Sequence, residues 1–193
     1  MIIALTIKGE NKMKANFEEL NEVTRKFMLE EFELEQRSGI PYISPRLSDT
    51  GRIIFPELMR KSITSGDPES LEISLKHQEY WNEKEEYTRN GITRERKINL
   101  NQVAEQLAFS EFNTWYVRGL VKRLIGEGIE KCQIYRVKDA KWEPSECSKH
   151  EGQIVDTKVI YKGHRAKYWP VINESVFSIP AQAGCHHSIR RVR

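Results

Sequence analysis

The sequence predicts an α+β protein, with a mainly helical body built round one long buried helix and a small C-terminal β-rich module. Three observations carry this. The stretch from Asn101 to Gly128, "NQVAEQLAFSEFNTWYVRGLVKRLIGEG", is apolar over most of a helical circumference, as a central helix is. After Gly126 and Gly128 the chain turns to Ile, Val and Tyr in "CQIYRV" and "QIVDTKVIY", the composition of strands. Cysteine and histidine then gather in two short stretches of that second part, where a zinc ion could staple the module.

Each element follows from local signals. Asn16 with Glu19 makes a capping-box pattern, and Leu20, Val23, Phe27 and Leu34 recur at helical spacing until Ser38-Gly39. "GIPYISPRLSDTGRIIFP" reads as extended chain with turns. Pro56 suits the first turn of a short helix, "PELMRKSIT", which Gly66 ends. Asp67-Pro68 restarts a helix with Leu71, Leu75 and Trp81 inward, and "NEKEEYTRNG" reads as its solvated end. In the long helix Val103 and Leu107 form one stripe. Phe109, Phe112, Tyr116, Leu120 and Leu124 form a second, and Val117, Val121 and Ile125 a third. Glu111, Asn113 and Arg118 sit among them, where buried ion pairs or interface contacts are expected rather than catalysis. The organisation is thus an N-terminal arm (1–15), a helical body (16–129) and a β-rich module packed on it (130–193).

At 193 residues the chain can bury one substantial core. A net charge of +3 does not by itself argue for nucleic acid, but the distribution is uneven. Lys158, Lys162, Arg165, Lys167, Arg190, Arg191 and Arg193 face a single acid, Glu174, over the last thirty-six residues. Lys162, Arg165, Lys167, Arg190 and Arg191 are therefore the candidate contacts to nucleic acid or an acidic partner. No run approaches the roughly 18 apolar residues a membrane span needs. "MIIALTI" lacks a basic n-region, so it does not read as a signal peptide. Three cysteines (Cys132, Cys147, Cys185) without an export signal favour thiols or metal ligands over disulfides. A cytoplasmic setting is expected.

Cys147 and His150 form a C-x-x-H pair, a spacing that lets two donors reach one metal from a tight turn. Cys185 with His187 offers a second pair. Cys147, His150, Cys185 and His187 together would make a closed tetrahedral zinc site joining two loops. Cys132, His164 and His186 are further possible donors. Cysteine-nucleophile catalysis through Cys185 and the adjacent His186 is disfavoured, because neighbouring side chains on a strand point to opposite faces. Glycine-rich phosphate loops, H-E-x-x-H and G-x-S-x-G are missing from the sequence.

"CSKHEGQIV" (147–155) and "IPAQAGCHHSIRRV" (179–192) resemble the C-terminal cysteine-containing segment of phage head-morphogenesis, or minor capsid, proteins. In that family a cysteine precedes a glycine and a hydrophobic strand, and a "HPNCRC"-like element with a closing strand follows about thirty residues later. Cys185 stands at the cysteine position, His187 where a second cysteine falls, and Ala183-Gly184 in place of His-Pro-Asn. The resemblance implies a non-enzymatic component of head assembly, acting through contacts with other virion proteins in several copies. Such a protein resides in the host cytoplasm or the virion. The alternative is a nucleic-acid-binding or HNH-like nuclease protein that uses the basic C-terminal module.

Overall fold

The computed structural model describes residues 15–139, 146–168 and 171–192, without the side chains of Glu146 and Cys147. The arm expected over 1–15 lies almost wholly outside them. The chain has both helices and small sheets, in the order α1 (Glu22–Arg37), α2 (Asp49–Ser65), α3 (Pro68–Ser74), β1 (Lys84–Arg89), β2 (Ile92–Lys97), α4 (Leu100–Gly126), β3 (Lys131–Arg136), β4 (Ile154–Asp156), α5 (Thr157–Lys162) and β5 (His187–Arg191). β1 and β2 form a separate hairpin, while β4, β3 and β5 make an antiparallel sheet with β3 central.

Helix α4 is the axis, as its composition predicts. Asn99 caps it by accepting from the Gln102 amide, and Phe112, Trp115, Tyr116, Leu120 and Leu124 are almost wholly buried. One continuous apolar core runs from α1, α2 and α3 through α4 to Cys132, Ile134 and Ile189 of the sheet. Sheet and helices thus share a core, which fixes the C-terminal segment against α4. No helix among the described residues is long and apolar enough to cross a membrane.

Several boundaries differ from the expectation, each for a tertiary reason. Helix α1 starts after Asn21, which caps Thr24, and not at Asn16. Residues before it form a turn tied to the sheet and to α4: the Asn16 amide donates to the Val137 carbonyl, the Leu20 amide to the Phe17 carbonyl, and the Glu18 and Glu19 amides to the Tyr135 and Tyr116 hydroxyls. The buried face of α1 is Thr24, Met28, Glu31 and Phe32, leaving Val23 and Leu34 about half exposed (51% and 53%). Thr24 and Glu31 face inward because they accept hydrogen bonds from Arg123 and Arg118 of α4. Helix α2 begins at the Ser48 cap and carries Pro56 in its interior. Burial of Phe55, Met59 and Ile63 on either side of the proline outweighs the lost backbone hydrogen bond.

The segment read as a frayed helix end is the β1–β2 hairpin. Asn90 and Gly91 sit at φ +53° and +73°, the two-residue turn whose twist matches paired strands. Trp81 joins the core from beyond α3, its Nε1–H donating to Leu75. "QIVDTKVIY" divides: only Ile154–Asp156 is strand, and Asp156 then caps α5 by accepting from Lys158.

Candidate functional site

Two polar constellations stand out, one on each side of α4. The first is a charged cluster under a cleft. Arg165, in the turn after α5, donates to Glu111 through both terminal nitrogens, at 2.9 and 2.7 Å. Its Nε donates to Glu35 at 3.2 Å, and His164 Nε2 meets the same Glu35 oxygen at 3.1 Å. Tyr42, Trp115 and Tyr168 surround the guanidinium, with ring centroids 4.6–5.3 Å away. Tyr168 donates to Thr114 Oγ1 at 2.6 Å, because that hydroxyl already donates to Ser110. A planar cation filling two forks and stacked on aromatic faces is arginine chemistry that lysine cannot copy.

Burial disfavours charge throughout this cluster. It pushes the His164 imidazole down to about 4, with Arg165 and Arg118 adding to the shift against the pull of Glu35. Burial would raise Glu35, but the His164 hydrogen bond and the Arg165 charge overcome it and hold the carboxyl down to about 2. For Arg165, burial opposes the charge, but Glu111 and Glu35 raise its pKa above the already high arginine value. At neutral pH Glu35 is therefore a carboxylate and His164 neutral, both beside the Arg165 cation. Arg165 bridges Glu111 of α4 and Glu35 of α1, so the arrangement braces these elements against the turn after α5.

Over the cluster lies a cleft of about 860 Å³. Its walls are the segment 42–46, the β1 strand and the α4 residues Gln106, Leu107 and Ser110, with Gly184 also lining it. The Gly184 amide donates to Ser110 Oγ at 2.7 Å, tying the C-terminal loop to α4. The edge of β1 that faces away from β2 borders this cleft. Pairs 89↔92, 87↔94 and 85↔96 lie in one set, and Ile98 N–H donates to Glu83 O in the same alternation. The amides and carbonyls of Lys84, Glu86 and Thr88 therefore point outward. The segment 45–47 pairs with this edge at Trp81 and Asn82, then diverges and opens the cleft.

The second constellation holds the cysteine and histidine residues. Cys185 and His187 are two apart, so both side chains leave β5 and its approach on one face. Cys185 Sγ lies 3.9 Å from His187 Nδ1, and His187 Nε2 lies 3.4 Å from Glu151 Oε2. Cys185 and His187 are 5% and 1% exposed. Asn113 of α4 donates to the carbonyls of both residues, at 3.3 and 2.9 Å, which fixes this segment to the central helix. Cys147 and His150 lie on a 3₁₀ turn, Glu146–His150, that precedes Glu151. His150 Nδ1 meets Gln153 Oε1 at 3.2 Å and its ring stands edge-on to Phe177. The Cys147 side chain lies outside the described residues. Among those residues, no three cysteine, histidine or acidic side chains converge as a metal cluster. Cys132 is in the core and His164 in the charged cluster, while His186 turns to Phe109.

The basic residues singled out in the sequence do not form one cationic surface. Arg165 is spent inside the fold. Arg190 donates to Glu18 at 2.6 Å, and Arg191 pairs with Glu127 and lies 3.8 Å from Glu19. Lys162 is exposed and Lys167 half-buried. The acids that meet these cations come from α1, α4 and the segment before α1, a partnership that the local charge run conceals. Glu35, Tyr42 and Glu151 were the contributors that sequence reasoning missed, and His164 was named only as a possible metal donor. For the hairpin, the Asn90-Gly91 dipeptide was the available signal.

Comparison with protein-family models, curated proteins and solved structures finds no match to this chain.

Proposed function

We propose that the chain is a non-enzymatic assembly protein of the phage-head kind, acting through protein–protein contacts, including contacts with further copies of itself. The observation that carries this reading is the outer edge of β1, which has no strand partner among the described residues. It presents the backbone of Lys84, Glu86 and Thr88 along an open cleft, between a largely exposed hairpin and the wall of α4. An extended segment entering there would add a strand to the hairpin. The hairpin alone would be marginal in water, and a third strand would stabilise it. A brace in place of a reactive centre, in the cluster below, fits a scaffold. A zinc in the C-terminal module would serve this protein as a fastening.

Sedimentation velocity over a concentration series tests the reading, with Glu86→Pro as the informative variant. That amide points away from β2, so proline removes a docking donor and leaves the hairpin ladder intact. Concentration-dependent association that Glu86→Pro abolishes, with unchanged circular dichroism, is expected. A strictly monomeric protein at the highest attainable concentration that binds duplex DNA with a steep salt dependence would instead support the nucleic-acid alternative. The acids facing Arg165, Arg190 and Arg191 weigh against that alternative.

A further inference from the structure

We propose that the β1–β2 hairpin is a DNA-binding arm, whose arginine-bearing face (Arg89, Arg94 and Arg96) grips the phosphate backbone of a B-form duplex. This activity goes beyond the assembly reading above and does not depend on it. The contact is made by side chains of one hairpin face, not by the outer backbone edge of β1.

The strand register sorts the charges of the hairpin onto two faces. Opposed residues share a face, and 85↔96, 87↔94 and 89↔92 are opposed, so Arg89, Arg94 and Arg96 stand on one side with Tyr87. The contacts agree: Arg96 donates to Glu85 at 2.7 Å and its guanidinium lies 5.2 Å from the Tyr87 ring centroid. On the other side the Thr88 and Thr93 hydroxyls meet at 3.2 Å, and Lys84 pairs with Glu95 at 3.1 Å. That second face balances lysines against glutamates. The first carries three arginines against Glu85 alone, and Glu85 is already held between Arg46 at 2.6 Å and Arg96 at 2.7 Å. Arg89 and Arg94 are exposed and have no ion-pair partner among the described residues.

Shape and side-chain chemistry favour duplex DNA as the partner of this face. Each strand has six residues, so the arm is about 20 Å long, and it stands largely clear of the other helices and strands. The major groove of B-DNA, about 12 Å wide, admits a two-stranded ribbon as it admits an α-helix. The A-form major groove of RNA is too deep and narrow for one. Guanidinium groups hold phosphate oxygens through paired hydrogen bonds, which lysine cannot do, and all three cations on this face are arginines. Ile92, opposite Arg89 beside the turn, is 55% exposed and belongs to neither core cluster. Thymine methyls lining the major groove would give that side chain an apolar contact. An acidic protein surface could pair with the same cations, but it would not require a narrow ribbon that stands off the body.

The test uses the full chain and a fluorescently labelled mixed-sequence DNA duplex. Three arginines per chain give modest affinity, so anisotropy is read at about 50 mM salt and then at rising salt. Binding by the wild type is expected, with log K falling linearly against log salt. Arg89→Ala/Arg94→Ala should melt like the wild type, flatten that slope by about two and weaken binding about a hundredfold at about 50 mM salt. Arg94→Glu, a single change, should weaken it at least as much as removing one phosphate contact, about tenfold. Lys158→Ala/Lys162→Ala removes two exposed cations of the C-terminal module and should leave affinity and slope unchanged. Sedimentation of the same samples reads self-association separately, so this proposal and the assembly reading can each fail alone. A wild-type chain that does not bind the duplex at about 50 mM salt overturns the proposal. So does binding that the arginine variants leave intact, or that only the lysine variant loses. Displacement of the duplex by polyglutamate at equal charge concentration would reassign the arm to an acidic protein partner and overturn it as well.

Discussion

Arg165 reaches Glu111 across the core with two parallel hydrogen bonds, and does so from a backbone in the left-handed region at φ +54°. A non-glycine residue pays roughly 1–2 kcal/mol for that conformation. The geometry persists because it aims one guanidinium at two carboxylates, Glu111 of α4 and Glu35 of α1, while the turn after α5 closes over Trp115. Three distant parts of the chain are thereby joined at one group. The neighbouring Arg118 repeats the device, donating to Glu31 of α1 at 2.6 Å and to the Tyr161 carbonyl of α5 at 2.7 Å.

Removing one partner should therefore cost far more than removing both. Glu111→Leu leaves Arg165 buried with only Glu35 as counter-ion, and Arg165→Met leaves Glu111 without a cation. Each is expected to destabilise the protein by about 3–5 kcal/mol in urea unfolding. The double variant Glu111→Leu/Arg165→Met removes the desolvated charges together and should recover most of that loss. Equal or additive losses would show that the pair is not a closed unit.

The same cluster sets the acid limit of stability. His164 titrates at about 4 in the folded chain against 6.5 ordinarily, so between these values the unfolded chain binds more protons. Stability should fall as pH drops from 6.5 towards 4. Glu35, held to about 2 against 4.5, continues the loss between 4.5 and 2. At the alkaline end burial pushes the Cys132 thiol up to about 12 from 9, so stability should fall again above pH 9. Melting temperature against pH should thus show a plateau between about 6.5 and 9. His164→Gln should flatten the upper part of the acid limb, between 6.5 and 4.5.

What the sequence disclosed follows from the range over which each signal acts. The long helix was legible because burial on nearly every side leaves its mark on consecutive residues, from Phe109 to Leu124. Asp67 and Ser70 were legible because a capping box is contained in four residues. Arg165 was misread for the opposite reason: its acids lie 54 and 130 positions away, so locally it looks like part of a basic surface. The inward face of α1 was missed because Thr24 and Glu31 are polar and become core-facing only through Arg123 and Arg118. At the cysteine and histidine site, the pairing of Cys185 with His187 follows from strand alternation, whereas Glu151 required the fold.

The hairpin should behave as a locally stable unit. Gly91 has φ +73° and open space round a would-be Cβ, so Gly91→Ala introduces backbone strain and no clash. The expected cost is roughly 1 kcal/mol, confined to residues 84–97. Hydrogen exchange at the ladder amides should quicken about fivefold, while the global melting temperature stays unchanged, because the hairpin is largely outside the core. A drop in the global transition would mean that the hairpin is integral to the fold, which the docking role does not need.

At Gly119 the backbone of α1 packs directly against α4, and here the same substitution should act globally. A Cβ at this position would lie 2.5 Å from the Met28 amide nitrogen and 2.7 Å from its Cα. Those are backbone atoms of a capped sixteen-residue helix, so rotamer adjustment cannot relieve the clash. Alanine does improve the intrinsic helix propensity of α4, by about 1 kcal/mol. Overpacking costs typically 1–3 kcal/mol, and here α1 must move as a body, dragging Glu31 and Glu35 away from Arg118 and Arg165. The net expectation for Gly119→Ala is destabilisation of about 1–2 kcal/mol in urea unfolding. In the background of Glu111→Leu/Arg165→Met the penalty should shrink, because the Arg165–Glu35 tie, one of those that resist displacement of α1, is gone. An unchanged penalty in that background would locate the strain in the backbone contact alone.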